Sequence, residues 1–278
     1  MHTYNLIESI LFPPISFNEG KLRKTLQGKS ILITGASSGI GEHLAIFLSK
    51  LEIELQLILV ARRGEKLEVL KQSLESKSIT IHIIRADLRV QEDMDHLLEF
   101  LHKLPAGLDI VVNNAGLSIN RSILQSMDRF HDFTRTMAIN YFAPVKLLLS
   151  VIPLLQNNNG QIINISTINA LIVPIPNWAA YQASKTAFDT WLQSAAPELN
   201  KIGITTTSIY LPLVKTPMIL PTEAYKKMPA MTTLHVAKII CRSIYTKQRR
   251  YKPWWLIFGE LFSVLFKKII DSLFYKKA

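Results

Sequence analysis

Cysteine is almost absent: Cys241 is the one thiol in 278 residues. No internal disulfide can form, so the chain is expected in a reducing compartment. The seven histidines, at positions 2, 43, 82, 96, 102, 131 and 235, fall into no metal-ligand spacing such as H-E-x-x-H, and no metal site is expected. No internal repeat, low-complexity tract or flexible linker divides the sequence, which argues for one main domain. A secretory signal is not read at the start. Leu6 to Phe12 is short, contains Glu8, follows no basic residue and is cut off by Pro13-Pro14. Residues 1–27 are therefore taken as an N-terminal extension.

Acidic charge is scarce towards the C-terminus. From Lys226 onward twelve Lys or Arg face only Glu260 and Asp271, so nearly all of the net charge of +11 sits there. A basic block of this kind suits nucleic acid or an anionic membrane. No nucleic-acid recognition module accompanies it, and its aromatics fall within an apolar helical pattern, so a membrane surface is the better partner.

What is present is a folded α/β pattern. Forty-eight per cent apolar and 19% charged residues exclude a disordered chain. Short apolar runs at Ile31–Thr34, Leu55–Val60, Ile79–Ile84, Ile110–Val112, Gln161–Ile165 and Thr205–Tyr210 alternate with helical patterns. Such alternation predicts parallel β-α-β units with right-handed crossovers. The expected architecture is a doubly wound, Rossmann-like parallel sheet in three α-β-α layers over residues 28–245, followed by a basic segment, 246–278.

The first strand runs into Thr34-Gly35-Ala36-Ser37-Ser38-Gly39-Ile40-Gly41. Gly35 suits a tight turn, Gly39 lets the backbone approach a pyrophosphate, and Gly41 lets the next helix lie close on the sheet. The helix N-terminus then offers unpaired N–H groups to the anion. At the end of the second strand, where an acidic residue would hold the ribose 2′-hydroxyl of NAD, stand Arg62 and Arg63. Two guanidinium groups suit a 2′-phosphate, so NADP(H) is the expected cofactor. Asp87 and Leu88, after the third strand, are candidates for the adenine contact.

Tyr181 and Lys185 lie four apart in a helical pattern and so share one face. A free phenol has a pKa of about 10, and a neighbouring ammonium lowers it towards a useful range for proton transfer. Together with the glycine loop, Asn113-Asn114-Ala115-Gly116 and an isolated Asn140, these residues make the chain resemble the short-chain dehydrogenase/reductase family over roughly residues 28–245. The resemblance implies that Tyr181 donates a proton to a substrate carbonyl as hydride arrives from the nicotinamide. It implies that Lys185 tunes the phenol and binds the nicotinamide ribose, and that Asn140 holds a water of a proton relay. Dinucleotide contacts are implied at the glycine loop, including Ser37, Ser38 and Ile40, and at Asn114, Ala115 and Gly116.

Two departures from the family pattern stand out. The family's Ser thirteen residues before the Tyr is Ile168 here, so Thr167, or else Ser166, is expected to supply the hydroxyl that bonds the carbonyl. The Pro-Gly after the sixth strand is replaced within Leu211-Pro212-Leu213-Val214-Lys215-Thr216-Pro217-Met218, which leaves Val214 and Thr216 for the carboxamide. That form is similar to reductases of long-chain acyl and aldehyde substrates.

Val173 to Trp178 and a substrate loop at about 212–232 supply apolar walls, with Met218, Met228 and Pro229 among them, and favour a small-molecule substrate with an acyl chain. From Trp254 to Tyr275, Phe258, Leu261, Phe262, Leu265 and Phe266 recur at helical spacing opposite Glu260, Ser263 and Lys267. This stripe is read as an amphipathic helix on a membrane surface, with packing against a second copy as the competing reading. The expectation is a cytoplasmic NADP(H)-dependent oxidoreductase of a lipid-like carbonyl, peripheral on the inner membrane face. A catalytically weak cofactor-binding scaffold or redox sensor is the alternative.

Overall fold

The computed structural model describes residues 5–74, 78–220, 222, 225 and 227–265. Pro221 and the far half of the C-terminal stripe, with Phe266, Lys267-Lys268 and Lys276-Lys277, lie outside the described residues.

Seven strands form one parallel sheet: β1 (Lys29–Thr34), β2 (Leu55–Ala61), β3 (Ile79–Arg85), β4 (Ile110–Asn113), β5 (Gln161–Thr167), β6 (Thr205–Leu211) and β7 (Arg250–Tyr251). Their order is β3-β2-β1-β4-β5-β6-β7, and every adjacent pair is parallel. This is the doubly wound, Rossmann-like sheet expected from the alternation, and all six anticipated strands are present. Because helices cover both faces, the strands are apolar almost throughout rather than at every second position.

Alternate residues of each strand serve the two layers. Ile31, Ile33, Leu57, Leu59, Ile163 and Ile165 pack towards α3 (Gly39–Ser49), α4 (Gly64–Leu74) and α9 (Thr233–Thr246). Leu32, Ile58, Val60, Val111 and Ile162 face α5 (Gln91–His102), α7 (Ala143–Asn157) and α8 (Ala179–Lys201). Each such side chain taken fully from water contributes about 2 kcal/mol, so two filled layers hold the sheet between its helices. Strand order reverses between β1 and β4. A crevice therefore opens beyond the C-terminal ends of β1, β4 and β5, where a doubly wound sheet takes its ligand.

The helical stretch Phe130–Asn157 combines α6 (Phe130–Met137), a π-helical turn at Ala138–Phe142 and α7. By length and composition it is apolar enough to cross a membrane. Leu147, Leu148, Val151 and Leu155, however, are buried in the sheet's second layer, which accounts for its apolar character as that of a core helix.

Within residues 1–27, two short helices pack onto the sheet domain. α1 (Leu6–Leu11) begins in a capping box in which the Glu8 N–H donates to Asn5 Oδ1 at 2.8 Å. α2 (Glu19–Leu26) is capped by Asn18, lies against α9, and sends Leu22 and Leu26 fully into the core beside Phe12. At the other end, β7 lies beyond residue 245, where the sequence suggested that the sheet domain stops, and extends the sheet by pairing with β6. α10 (Leu256–Leu265) follows, with Leu256 and Trp255 turned inward.

Candidate active site

β1 ends in a turn that only glycine permits. Gly35 has φ +69°, and a Cβ there would lie 2.9 Å from the Ala115 Cα, so the turn after β1 and the loop after β4 pass in direct backbone contact. At Gly41 a Cβ would meet the Gly35 carbonyl oxygen at 2.7 Å, which fixes how closely α3 starts against the turn. The cradle thus leaves the first N–H groups of α3 facing the crevice, as a pyrophosphate requires. Ser38 is the extended residue before α3, and Ile40 packs down on the first core layer.

Arg63 folds back over this cradle. Its Nη2 donates to Ser38 Oγ at 2.7 Å and to Ser37 Oγ at 3.0 Å. Arg62 stays largely exposed, with Nη1 3.9 Å from Asp87 Oδ2. The Asp87 carboxylate is itself gripped by Arg89, whose Nε and Nη2 donate at 2.9 and 2.6 Å. That pair holds the Asp87 carboxyl below its ordinary range, although burial opposes the shift. Leu88 beside it is buried. Arg63 thus lies on the cradle with the exposed Arg62 next to it in the chain, and the pair suits a dinucleotide carrying an extra phosphate.

The loop after β4 is tied to the end of β1. Asn114 Nδ2 donates to the Thr34 carbonyl at 2.8 Å, and the Asn114 and Ala115 amides both donate to Thr34 Oγ1 at 3.0 Å. Gly116 brings the crevice floor to the chemistry: a Cβ there would lie 3.1 Å from Asn140 Oδ1 and 3.5 Å from Lys185 Nζ. Asn140 sits in the π-helical turn, a distortion that often marks functional sites. Its Oδ1 accepts from the Leu117 amide at 2.9 Å, and its Nδ2 donates to the Leu117 carbonyl at 2.8 Å and to Ser184 Oγ at 2.9 Å.

Tyr181 and Lys185 occupy successive turns of α8. The Tyr181 phenol faces the hydroxyl of Thr167, the last residue of β5, which also accepts from the Asn169 amide at 3.3 Å. Ser166, the neighbour that points the other way from the strand, has its hydroxyl buried and without a hydrogen-bond partner. Burial pushes the Tyr181 phenol up to about 12, the Thr167 hydroxyl pulling it back and Tyr225 adding to the rise. Lys185 is buried and donates from Nζ to the Ile165 carbonyl at 3.1 Å. Burial lowers its ammonium to about 8, while the Asp189 carboxylate one turn along pulls upward. Val214 bridges to Met231, and Thr216 lies against Gly39 of the cradle.

Residues 29–226 match the model of the short chain dehydrogenases. The chain belongs to that family. It is 41% identical over 233 residues to a fatty acyl-CoA reductase of Acinetobacter baylyi, an alignment covering 84% of this chain and 78% of that protein. A fatty acyl-CoA reductase of Mycobacterium tuberculosis is 37% identical over 230 residues, covering 82% and 77%. In fold, the chain is similar to a short-chain dehydrogenase from Sphingobium yanoikuyae solved in complex with NADPH. The TM-score is 0.75 at 22% identity, covering 88% of this chain and 95% of that one. A short chain dehydrogenase is an oxidoreductase, and the crevice above is where this fold works.

Several residues of this dehydrogenase site were not singled out from sequence. Gln182, inside the Tyr181–Lys185 motif, braces the preceding loop: its Nε2 donates to the Asn169 carbonyl at 2.6 Å and its Oε1 accepts from the Ile175 amide at 3.0 Å. Tyr225 stacks at 6.1 Å on Trp178, the end of the apolar segment read from sequence, and Trp178 contacts Tyr181 (ring centroids 5.4 Å apart), so an aromatic wall joins the phenol to the substrate loop. Asp189 was legible only as a third member of an i, i+4 ladder with Tyr181 and Lys185. It is buried, accepts from Tyr210 at 3.1 Å and Gln193 at 2.6 Å, and burial raises its carboxyl.

Proposed function

We propose that the chain is an NADP(H)-dependent reductase of long-chain acyl thioesters, with fatty aldehydes as the alternative carbonyl, working on a membrane surface. The observation that carries this reading is the Tyr181 phenol facing the Thr167 hydroxyl on the helix that also carries the buried Lys185, with the Trp178 and Tyr225 wall beside them. It gives a proton donor and a carbonyl-binding hydroxyl on one side of an apolar entrance. The two reductases described above support the acyl substrate, and the NADPH-bound structure supports the cofactor.

In this reading the glycine turn, Ser37, Ser38, Arg62 and Arg63 hold the adenosine half of NADP(H), with Asp87 and Leu88 beside the adenine. Asn114, Ala115, Gly116, Val214 and Thr216 line the path of the nicotinamide half. The cofactor supplies hydride to the carbonyl carbon. Thr167 donates a hydrogen bond to the carbonyl oxygen, and Tyr181 gives that oxygen its proton. With a thioester, the resulting hemithioacetal loses its thiol as the C–S bond breaks, leaving an aldehyde. Lys185 keeps positive charge beside the phenol and steadies the ribose hydroxyls. Both Nδ2 hydrogens of Asn140 go to the Leu117 carbonyl and Ser184, which fastens the crevice floor to α8, while Oδ1, accepting from the Leu117 amide, keeps one lone pair for a water of the relay.

A phenol facing a hydroxyl, on the helix of a buried Lys185, favours turnover over a non-catalytic scaffold. The test is NADPH consumption with a chain-length series of acyl-CoA esters and aldehydes. No consumption with any of them, alongside retained NADPH binding, would favour the scaffold.

The membrane part of the proposal rests on exposed apolar side chains on adjoining elements. Leu6, Ile7 and Ile10 on α1, and Ile257, Phe258 and Leu261 on α10, are each more than half exposed. The two helices adjoin where Trp254 Nε1 donates to the Ile10 carbonyl at 3.2 Å. With the basic charge that follows Lys226, this face suits anionic lipid in the cytoplasmic leaflet. Flotation with phosphatidylglycerol-containing vesicles should retain the full chain and lose a variant cut after Pro253. A dimer that ignores vesicles would instead assign the face to a second copy.

A further inference from the structure

We propose that Glu8 is a positioning residue of the active site, clamping both ends of the substrate loop and thereby setting the nicotinamide-facing segment. This rests on the reading of Val214 and Thr216 given above. Glu8 belongs to α1, ahead of the first residue matched to the family, and is only 4% exposed. A buried carboxylate must be compensated, and here every partner that compensates it beyond its own cap belongs to the loop. Lys215 Nζ lies 2.8 Å from Glu8 Oε1 and donates to Oε2 at 2.9 Å. The Ala230 amide donates to Oε1 at 3.1 Å. Lys215 and Ala230 are fifteen positions apart in the chain, on the outgoing and returning limbs of one loop.

Those limbs are already paired at their base. The Lys215 amide donates to the Met231 carbonyl at 2.9 Å, and the Met231 amide to the Leu213 carbonyl at 2.8 Å. Glu8 adds a charged lock on the outside of that pairing. Its leverage on the chemistry follows from where Lys215 stands. On one side of it Val214 bridges to Met231, and on the other Thr216 touches the cradle at Gly39, where a Cβ would lie 3.1 Å from Thr216 Cγ2. Fixing the Lys215 side chain therefore fixes the backbone between two residues that meet the cofactor path. Asn5 keeps the carboxylate aimed, since its side chain and backbone complete the capping box with Glu8. The net result is a Glu8 carboxyl held below its ordinary range despite its burial.

Glu8→Gln tests the lock, because it removes the charge and keeps an oxygen for the Ala230 amide. In the full-length protein, hydrogen–deuterium exchange should quicken about fivefold at amides 213–216, 230 and 231, with β5 unchanged, as expected of a local opening. With the substrate that the parent reduces, kcat should fall about tenfold, the scale on which small displacements of a reacting group act. Affinity for 2′-phospho-ADP-ribose, which has the adenosine end and no nicotinamide, should stay within about twofold, a difference too small to count as lost contact. Lys215→Met should reproduce the kcat loss, and the double variant should be no worse than either single one, because the two act as one unit.

The proposal is overturned by unchanged exchange at the loop base. Additive losses in the double variant, or a kcat that is normal per folded molecule, overturn it as well. A parent that reduces no acyl thioester or aldehyde sinks the proposed function, but the exchange and fragment-binding measurements still decide the clamp.

Discussion

Arg63 Nη2 donates to Ser38 Oγ at 2.7 Å, so the guanidinium that ends β2 is already folded onto the phosphate cradle that follows β1. The same group reaches Ser37 Oγ at 3.0 Å, so two hydroxyls of the turn orient it. A charge-assisted contact of this kind is worth about 1.5–3 kcal/mol, or about 10- to 100-fold in affinity. Arg63→Gln should therefore raise the KM for NADPH by that factor while leaving the KM for NADH nearly unchanged. Steady-state kinetics with both cofactors check it, and equal losses for the two would assign Arg63 to holding the turn instead of reading the phosphate.

Thr167 and Ser166 are adjacent hydroxyls with opposite fates. The first faces the Tyr181 phenol, and the second is buried without a partner. Thr167→Val should cut kcat by about 100-fold or more, the cost of one lost donor at a developing oxyanion. Thr167→Ser should retain most activity, and Ser166→Ala should be close to the parent. Tyr181→Phe should abolish turnover while NADPH still binds, as fluorescence titration would report. Turnover by Tyr181→Phe would remove the phenol as the proton donor.

Reduction requires a protonated phenol and a cationic Lys185. Because the phenol lies up at about 12, the first of these to fail as pH rises is the ammonium, at about 8. The profile of kcat/KM for reduction should thus be flat near neutrality and decline as pH climbs through about 8. Asp189 pulls the Lys185 ammonium upward, so Asp189→Asn should move that decline to lower pH. A profile that Asp189→Asn leaves in place would separate the limb from Lys185.

Most of the sheet was legible because each of its first six strands is an apolar run that both layers must cover, as at Ile31-Leu32-Ile33. β7 was not, since two residues, Arg250 and Tyr251, offer no period to read. The motif residues converge as their order along the chain implied, because Gly35, Gly116 and Lys185 all lie beyond the C-terminal ends of parallel strands. What local sequence could not disclose were partners distant in the chain. Nothing around Glu8 announces Lys215, 207 residues away. α1 and α2 were read as an extension for the same reason: helices this short have no long period, and their burial is decided by α9 and the loop that they meet.

That burial makes the N-terminal residues part of the folding unit, and Leu22 is where this is measured. Its side chain is fully buried in the first core layer, on a helix that packs against α9, which in turn packs against α3 of the cradle. Removing it leaves a cavity that helices held on both sides cannot readily close, so Leu22→Ala should cost about 2–5 kcal/mol. Lys24→Ala on the exposed side of α2 serves as the control and should change stability by less than about 0.5 kcal/mol. Urea unfolding gives both values, and the midpoint should shift for Leu22→Ala with little change in slope, because the same surface is exposed when a single unit unfolds. If α2 were a detachable extension, the main transition would be unmoved by Leu22→Ala, and the helix would melt on its own before it.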